Sequence, residues 1–144
     1  MIYLDTSALI KKYAVEAGTE RVRRLLKSEA RIFTSVLTYA EVCAALSRKF
    51  REGGMEKRHY RKALGHFLND WSAFALIALH EALFPFVRKL TEVHSLRGAD
   101  AVHLSSALWT GEEIGHPLRF IASDHRLLDA AGEEGLEGMN PEAD

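Results

Sequence analysis

Apolar positions in this chain fall into two rhythms. Ile2-Tyr3-Leu4 is a short unbroken run, whereas Thr19 to Ser28 sets Val22, Leu25 and Leu26 at helical spacing between charged residues. The contrast recurs along the chain. Arg31 to Thr34 and Leu118 to Ala122 read as strands, and so does Phe74 to Leu79, although an apolar run that short also suits a helix. Helices are predicted for Ser7 to Tyr13, Thr19 to Ser28, Ser35 to Glu52, Glu56 to Trp71, Ala82 to His94, Asp100 to Thr110 and Asp124 to Glu133. Gly53-Gly54 stops the third of these, and Pro85 suits the first turn of the fifth, where a missing N–H does no harm. In the fourth, Tyr60, Leu64, Phe67, Leu68 and Trp71 share one stripe, which turns the basic side outward. Strands alternating with helices predict an α/β fold, a parallel sheet flanked by helices.

Composition narrows the class without naming a function. The 144 residues, 47% apolar and 27% charged, suit one soluble globular domain. We place that domain at 1–134 and read 135–144 as a polar, Gly- and Pro-bearing tail, loosely ordered or packed on the domain. The single Cys43 has no partner for an internal disulfide. No run approaches the ~18 apolar residues of a membrane span, and no basic segment leads into a long apolar one, so the expected location is cytoplasmic.

The net charge of −1 gives the whole molecule no pull on polyanions, but the basic residues are clustered. Arg48, Lys49, Arg51, Lys57, Arg58, Arg61 and Lys62 form one group, and Arg21, Arg23, Arg24 and Lys27 a second. A solvated helix face accounts for such groups. Contact with phosphate becomes the stronger reading if an acidic, metal-holding site lies nearby.

Four carboxylates test that condition. Asp5 follows the first strand and Asp124 the last, where parallel sheets gather ligands but also where helix N-caps belong. The two roles are compatible. Glu41 lies mid-helix among Leu37, Thr38, Ala44 and Ala45, so it faces protein, and a buried unpaired carboxylate costs several kcal/mol. It needs a partner: a cation such as Arg97, or a metal ion. Asp100, in the first turn of an apolar helix, gains from the helix dipole alone roughly 0.3–1 kcal/mol. If all four converge, each pair at ~4 Å repels by roughly 4 kcal/mol at an effective dielectric of 20, so the cluster holds either protons or divalent cations. An all-oxygen set favours Mg²⁺ or Mn²⁺ over zinc, and His94, His103 and His116 lack zinc-finger spacing.

Four segments then take on meaning together: Leu4-Asp5-Thr6-Ser7-Ala8-Leu9, Thr38-Tyr39-Ala40-Glu41-Val42, Leu96-Arg97-Gly98-Ala99-Asp100-Ala101-Val102-His103-Leu104 and Ala122-Ser123-Asp124-His125-Arg126-Leu127-Leu128. In this order they resemble the signature segments of PIN-domain ribonucleases, above all the VapC toxins of VapBC toxin–antitoxin pairs. The resemblance implies a PIN-like three-layer α/β/α sandwich with a central, mainly parallel sheet of four or five strands. It implies Asp5, Glu41, Asp100 and Asp124 as a catalytic quartet around Mg²⁺, for which Mn²⁺ substitutes. Asp5 and Asp100 would be direct ligands, with Glu41 and Asp124 binding directly or through water. Ser7, Thr6, Ser123 and Arg97 would support the site or the substrate. One departure stands out: many relatives carry Thr two positions before the last Asp, and Ala122 is here. The implied partners are an RNA substrate, a second copy of the chain in a homodimer, and a VapB-like antitoxin. Three other readings remain: an RNA-processing PIN nuclease without a toxin role, a non-catalytic RNA- or partner-binding module, and a phosphatase attacking through an N-terminal Asp. Ser7 stands where that last chemistry wants a second acid.

Overall fold

The computed structural model describes residues 1–143. Five strands, β1 (Ile2–Leu4), β2 (Ile32–Ser35), β3 (Ala75–Ile77), β4 (Arg119–Ile121) and β5 (Gly138–Met139), form one sheet in the order β3-β2-β1-β4-β5. Every pairing is parallel, with Leu4 opposite Ile121 and Ile2 opposite Ile32. Parallel strands need crossovers, and the helices supply them: α1 (Thr6–Leu9), α2 (Thr19–Ser28), α3 (Leu37–Arg51), α4 (Lys57–Trp71), α5 (Phe84–Val93), α6 (Gly98–Ile114) and α7 (His125–Glu133).

The two-residue period of the strands divides the core into two layers. Tyr3 and Phe120 point to one face, where they stack at 5.4 Å and join Leu90, Leu104 and Leu127. Ile2, Leu4 and Ile121 point to the other, against Leu9, Val42, Leu46 and Phe67. A sheet buried on both faces has no polar side to alternate with, which is why its strands read as continuous apolar runs. The chain winds outward from β1 through β2 to β3, then returns to the other side of β1 as β4. That reversal opens a crevice at the carboxyl ends of β1 and β4.

Several elements differ in detail from the sequence reading. The first helix becomes 3-10 over Ile10–Lys12, and α6 runs on to Ile114, where the left-handed Gly115 ends it; within it Gly111 packs closely against the turn at His116 and Pro117. The segment read as a tail supplies β5, hydrogen-bonded to β4, and then returns across the molecule. Its Glu142 pairs with the buried Lys11, which also reaches Glu16 at 3.2 Å, and the Pro141 carbonyl lies against Gly18. Asp144, the last residue of that segment, is outside the described residues. Among the described residues, no helix is long and apolar enough to cross a membrane.

Candidate active site

At the end of β1 the backbone of Asp5 stays extended and its amide donates to the carbonyl of Ile121 on β4 (3.0 Å). Its side chain caps α1: Oδ2 accepts from the amide of Ser7 (3.1 Å) and from the Ser7 hydroxyl (2.5 Å). Ser7 Oγ accepts in turn from the Ser123 amide (3.0 Å), which ties the exits of β1 and β4 together. Asp124 caps α7, its Oδ1 accepting from Leu127 (3.1 Å). Both aspartates are therefore caps, yet each has a carboxylate oxygen outside its cap, and Asp5 is only 5% exposed.

Glu41 projects from α3 toward the same crevice. Its Oε1 accepts from the Thr6 hydroxyl (2.8 Å) and from Nε2 of His103 (2.6 Å), a residue of α6. Arg97, a partner considered from the sequence, does not hold it. Arg97 is exposed ahead of α6, whereas His103 lies two turns further in, on the helix's buried side. His103 Nε2 also stands 3.5 Å from Asp5 Oδ1, so this nitrogen carries a proton: both its neighbours are carboxylates. On the far side of the ring, Nδ1 and the Tyr3 hydroxyl are 2.8 Å apart. Burial pushes the imidazole pKa down, but the charge of Asp5, the bond and charge of Glu41 and the charge of Asp100 outweigh burial and raise it. For Glu41 the balance is the mirror image. Burial alone would raise its pKa, and the bond and charge of His103 with the Thr6 bond bring it below its ordinary value. Each partner thus favours the charged form of the other.

Asp100, in the first turn of α6, completes the crevice. Its carboxyl pKa is raised by burial first, then by the charges of Asp5 and Asp124, and Arg97 offsets only part of this. Asp100 therefore feels two carboxylates distant from it in the chain, with the His103–Glu41 pair beside them. Ala122, at the position where relatives carry Thr, is fully buried, and the hydroxyl of Ser123 next to it is buried without a hydrogen-bond partner.

Sequence reasoning missed His103 as part of the site, having weighed it only as a zinc ligand. The signal was present: Asp100 and His103 are three apart on one helix and so share a face. Each of the four carboxylates keeps an oxygen not engaged by a side-chain or capping hydrogen bond, and together they outnumber the one basic side chain among them, His103. That donor set suits a hard dication. Among the described residues, no three Asp, Glu, His or Cys side chains are already drawn into a coordination shell, so the fit is one of charge and donor type.

A family model, the PIN domain, matches residues 2–133. The chain belongs to the PIN-domain family. Within that family it joins the VapC proteins: it is 32% identical to Ribonuclease VapC46 of Mycobacterium tuberculosis over 140 residues, 97% of either chain. Two solved structures share the PIN fold. The FitAcB structure from Neisseria gonorrhoeae matches with a TM-score of 0.70 at 19% identity, covering 98% of both chains. VapBC2 from Rickettsia felis, bound to a DNA fragment from its promoter, matches with 0.66 at 18% identity, covering 97% of this chain and 98% of that one.

Proposed function

We propose that this PIN-domain protein is a Mg²⁺- or Mn²⁺-dependent endoribonuclease acting as the toxin of a type II toxin–antitoxin pair. The observation that carries the reading is that Asp5 and Glu41 converge on one nitrogen of His103 (3.5 and 2.6 Å), with Asp100 three residues before it on the same helix and Ser7 tying the Asp5 carboxylate to the segment that ends in Asp124. The VapC relative supports RNA as the substrate, because it is named a ribonuclease.

Phosphodiester hydrolysis at enzymatic rates asks for barrier lowering on the order of 8–23 kcal/mol. A general base contributes roughly 10²–10⁴-fold, about 3–5 kcal/mol, so the carboxylates alone fall short. Asp5 and Asp100 would hold the divalent ion, with Glu41 and Asp124 beside it. When bound, the ion acidifies a water and neutralises charge on the phosphate. The chain's own residues do the positioning. Ser7 fixes the Asp5 carboxylate from one side, leaving Oδ1 directed into the crevice. His103 and Thr6 fix Glu41 in the same way. Tyr3 orients His103 from within the core, so the acidic edge rests on buried, rigid structure.

An antitoxin and a second copy of the chain are the proposed protein partners. The solved VapBC2 relative supports the first. Exposed apolar side chains on α5, Phe84 at 55% and Val93 at 62%, give such a partner surface to cover.

Asp5→Asn and Asp100→Asn test the reading. Both proteins should fold and lose Mn²⁺-dependent cleavage of RNA. In a chelator, Asp100→Asn should be more stable than the parent near neutral pH, since burial and the charges of Asp5 and Asp124 disfavour its carboxylate. Retained cleavage in both variants would reject the assignment.

A further inference from the structure

The basic residues that crowd the α3–α4 hairpin are not evenly spread over its surface. A cleft of about 400 Å³ opens between this hairpin, α2 and the 3-10 turn that follows α1. Its wall carries Lys12, Arg23, Lys49, His59, Lys62 and His66, and no carboxylate lines it. Three of these cations are partly neutralised from outside the wall: Lys12 by Asp70 (2.5 Å), Arg23 by Glu20 (2.7 Å) and Lys49 by Glu16 (3.5 Å). Among the described residues, Lys62, His59 and His66 make no ion pair or side-chain hydrogen bond. They form one stripe on α4, at i, i+3 and i+7, beside the buried Ala63 and Phe67.

The charge balance of the hairpin points the same way. Positions 48 to 66 hold seven Lys or Arg and two Glu, while the whole chain nets −1. A polyanion is repelled by the rest of the molecule and attracted here. Ala14, Val15, Met55 and Ala63 give the cleft an apolar strip beside its donors, which suits a sugar or base attached to the phosphate better than a bare anion.

Position relative to the acidic crevice selects the ligand. Thr6, which holds Glu41, and Lys12, which lines the cleft, begin and end one continuous helical stretch. At a rise of roughly 1.5–2 Å per residue they are on the order of 10 Å apart, within reach of neighbouring phosphates on one strand. We propose that the cleft is a phosphate-binding subsite for the RNA strand, gripping its backbone a short way from the acidic crevice through Lys49, Lys62, His59 and His66. The proposal rests on RNA being the substrate, and it assigns the basic hairpin to substrate capture.

The test is anisotropy titration of the full-length protein with a fluorescent single-stranded RNA in chelator, where no cleavage competes. Lys49→Ala/Lys62→Ala should weaken binding and flatten the salt dependence by roughly 1.4, at about 0.7 per phosphate contact on a single strand. The gap between parent and variant should therefore narrow about sevenfold between about 50 and about 200 mM salt. Lys49→Arg/Lys62→Arg should restore the slope, which repair of folding alone would not explain. In Mn²⁺ the alanine variant should show a raised KM on long RNA, with kcat unchanged and cleavage of a dinucleotide unaffected. Equal binding and equal salt slopes for parent and alanine variant would overturn the subsite even if the parent cleaves RNA. Cleft-dependent RNA binding by a parent that cleaves nothing would uphold the subsite and remove the nuclease. Displacement of RNA by polyglutamate as readily as by polyphosphate would overturn the proposal in favour of an acidic protein segment.

Discussion

Replacing His103 with Leu tests whether a buried cation holds the acidic crevice together. Leucine fills a similar volume, so the cost is electrostatic and polar rather than a cavity. Two groups lose a partner. The Tyr3 hydroxyl is fully buried, and leaving it without His103 costs about 1–3 kcal/mol, with the nearby Ser106 hydroxyl as a remaining partner setting the lower end. Glu41 loses a charge-assisted bond of 2.6 Å, but its side chain is 32% exposed and Thr6 remains, so about 1–2 kcal/mol is reasonable after solvent screening. The sum is about 3 kcal/mol, a large share of the ~5–15 kcal/mol typical of a domain. Urea unfolding at neutral pH measures it, as a midpoint lowered by about 1–2 M with the slope unchanged. A double-mutant cycle separates the parts: Tyr3→Phe should be nearly free of cost, or favourable, in the His103→Leu background and costly alone. The reasoning fails if His103→Leu costs under about 1 kcal/mol. It fails equally if Tyr3→Phe costs the same in both backgrounds.

Two further outcomes are expected. Gly18→Ala should destabilise by about 2–4 kcal/mol in thermal melts, because φ is +87° and a Cβ would stand 2.9 Å from the Pro141 carbonyl oxygen; deleting the residues after Asn140 should remove the clash and leave only the ~1–2 kcal/mol of left-handed strain. Glu134 has its carboxyl pKa lowered by the His94 hydrogen bond, against the opposing effect of burial, with Lys89 adding to the lowering. Its stabilisation is therefore complete above the unfolded carboxylate range and lost as pH falls through the folded value. Across that acidic limb the Tm of the parent should fall further than that of Glu134→Gln, and parallel curves would show that Glu134 is not linked to folding.

Much of this site was legible because its carboxylates stand where ordinary protein chemistry does not want them. Asp5 and Asp124 each follow a buried strand, and Glu41 sits mid-helix among small and apolar neighbours, none of which can pair with a carboxylate, although a third of its side chain stays open to solvent. Those positions demanded partners before any partner was visible. The partner of Glu41 was harder to see because α6 is apolar nearly all round, so its periodicity marks no inward face on which His103 would stand out. The fifth strand was hidden for a different reason. Two residues, one of them Gly138, carry no alternation, and their place in the sheet is set by β4 alongside rather than by local preference. The basic hairpin showed its charge in the sequence but not its concavity, which depends on a turn forty residues away in the chain.

The strand that delivers Asp5 is the middle one of five, bonded to a neighbour on each side. Edge strands and termini fray at little cost, but the centre of a small sheet exchanges its amide hydrogens only when the whole cooperative unit opens. The Asp5 amide, bonded to Ile121, should exchange with that slowest class, which would keep the end of β1 in place until the domain itself opens. Blocking the crevice is therefore a matter of covering it or dismantling the domain altogether; a partly loosened form that spares the sheet would keep the acidic edge where it is.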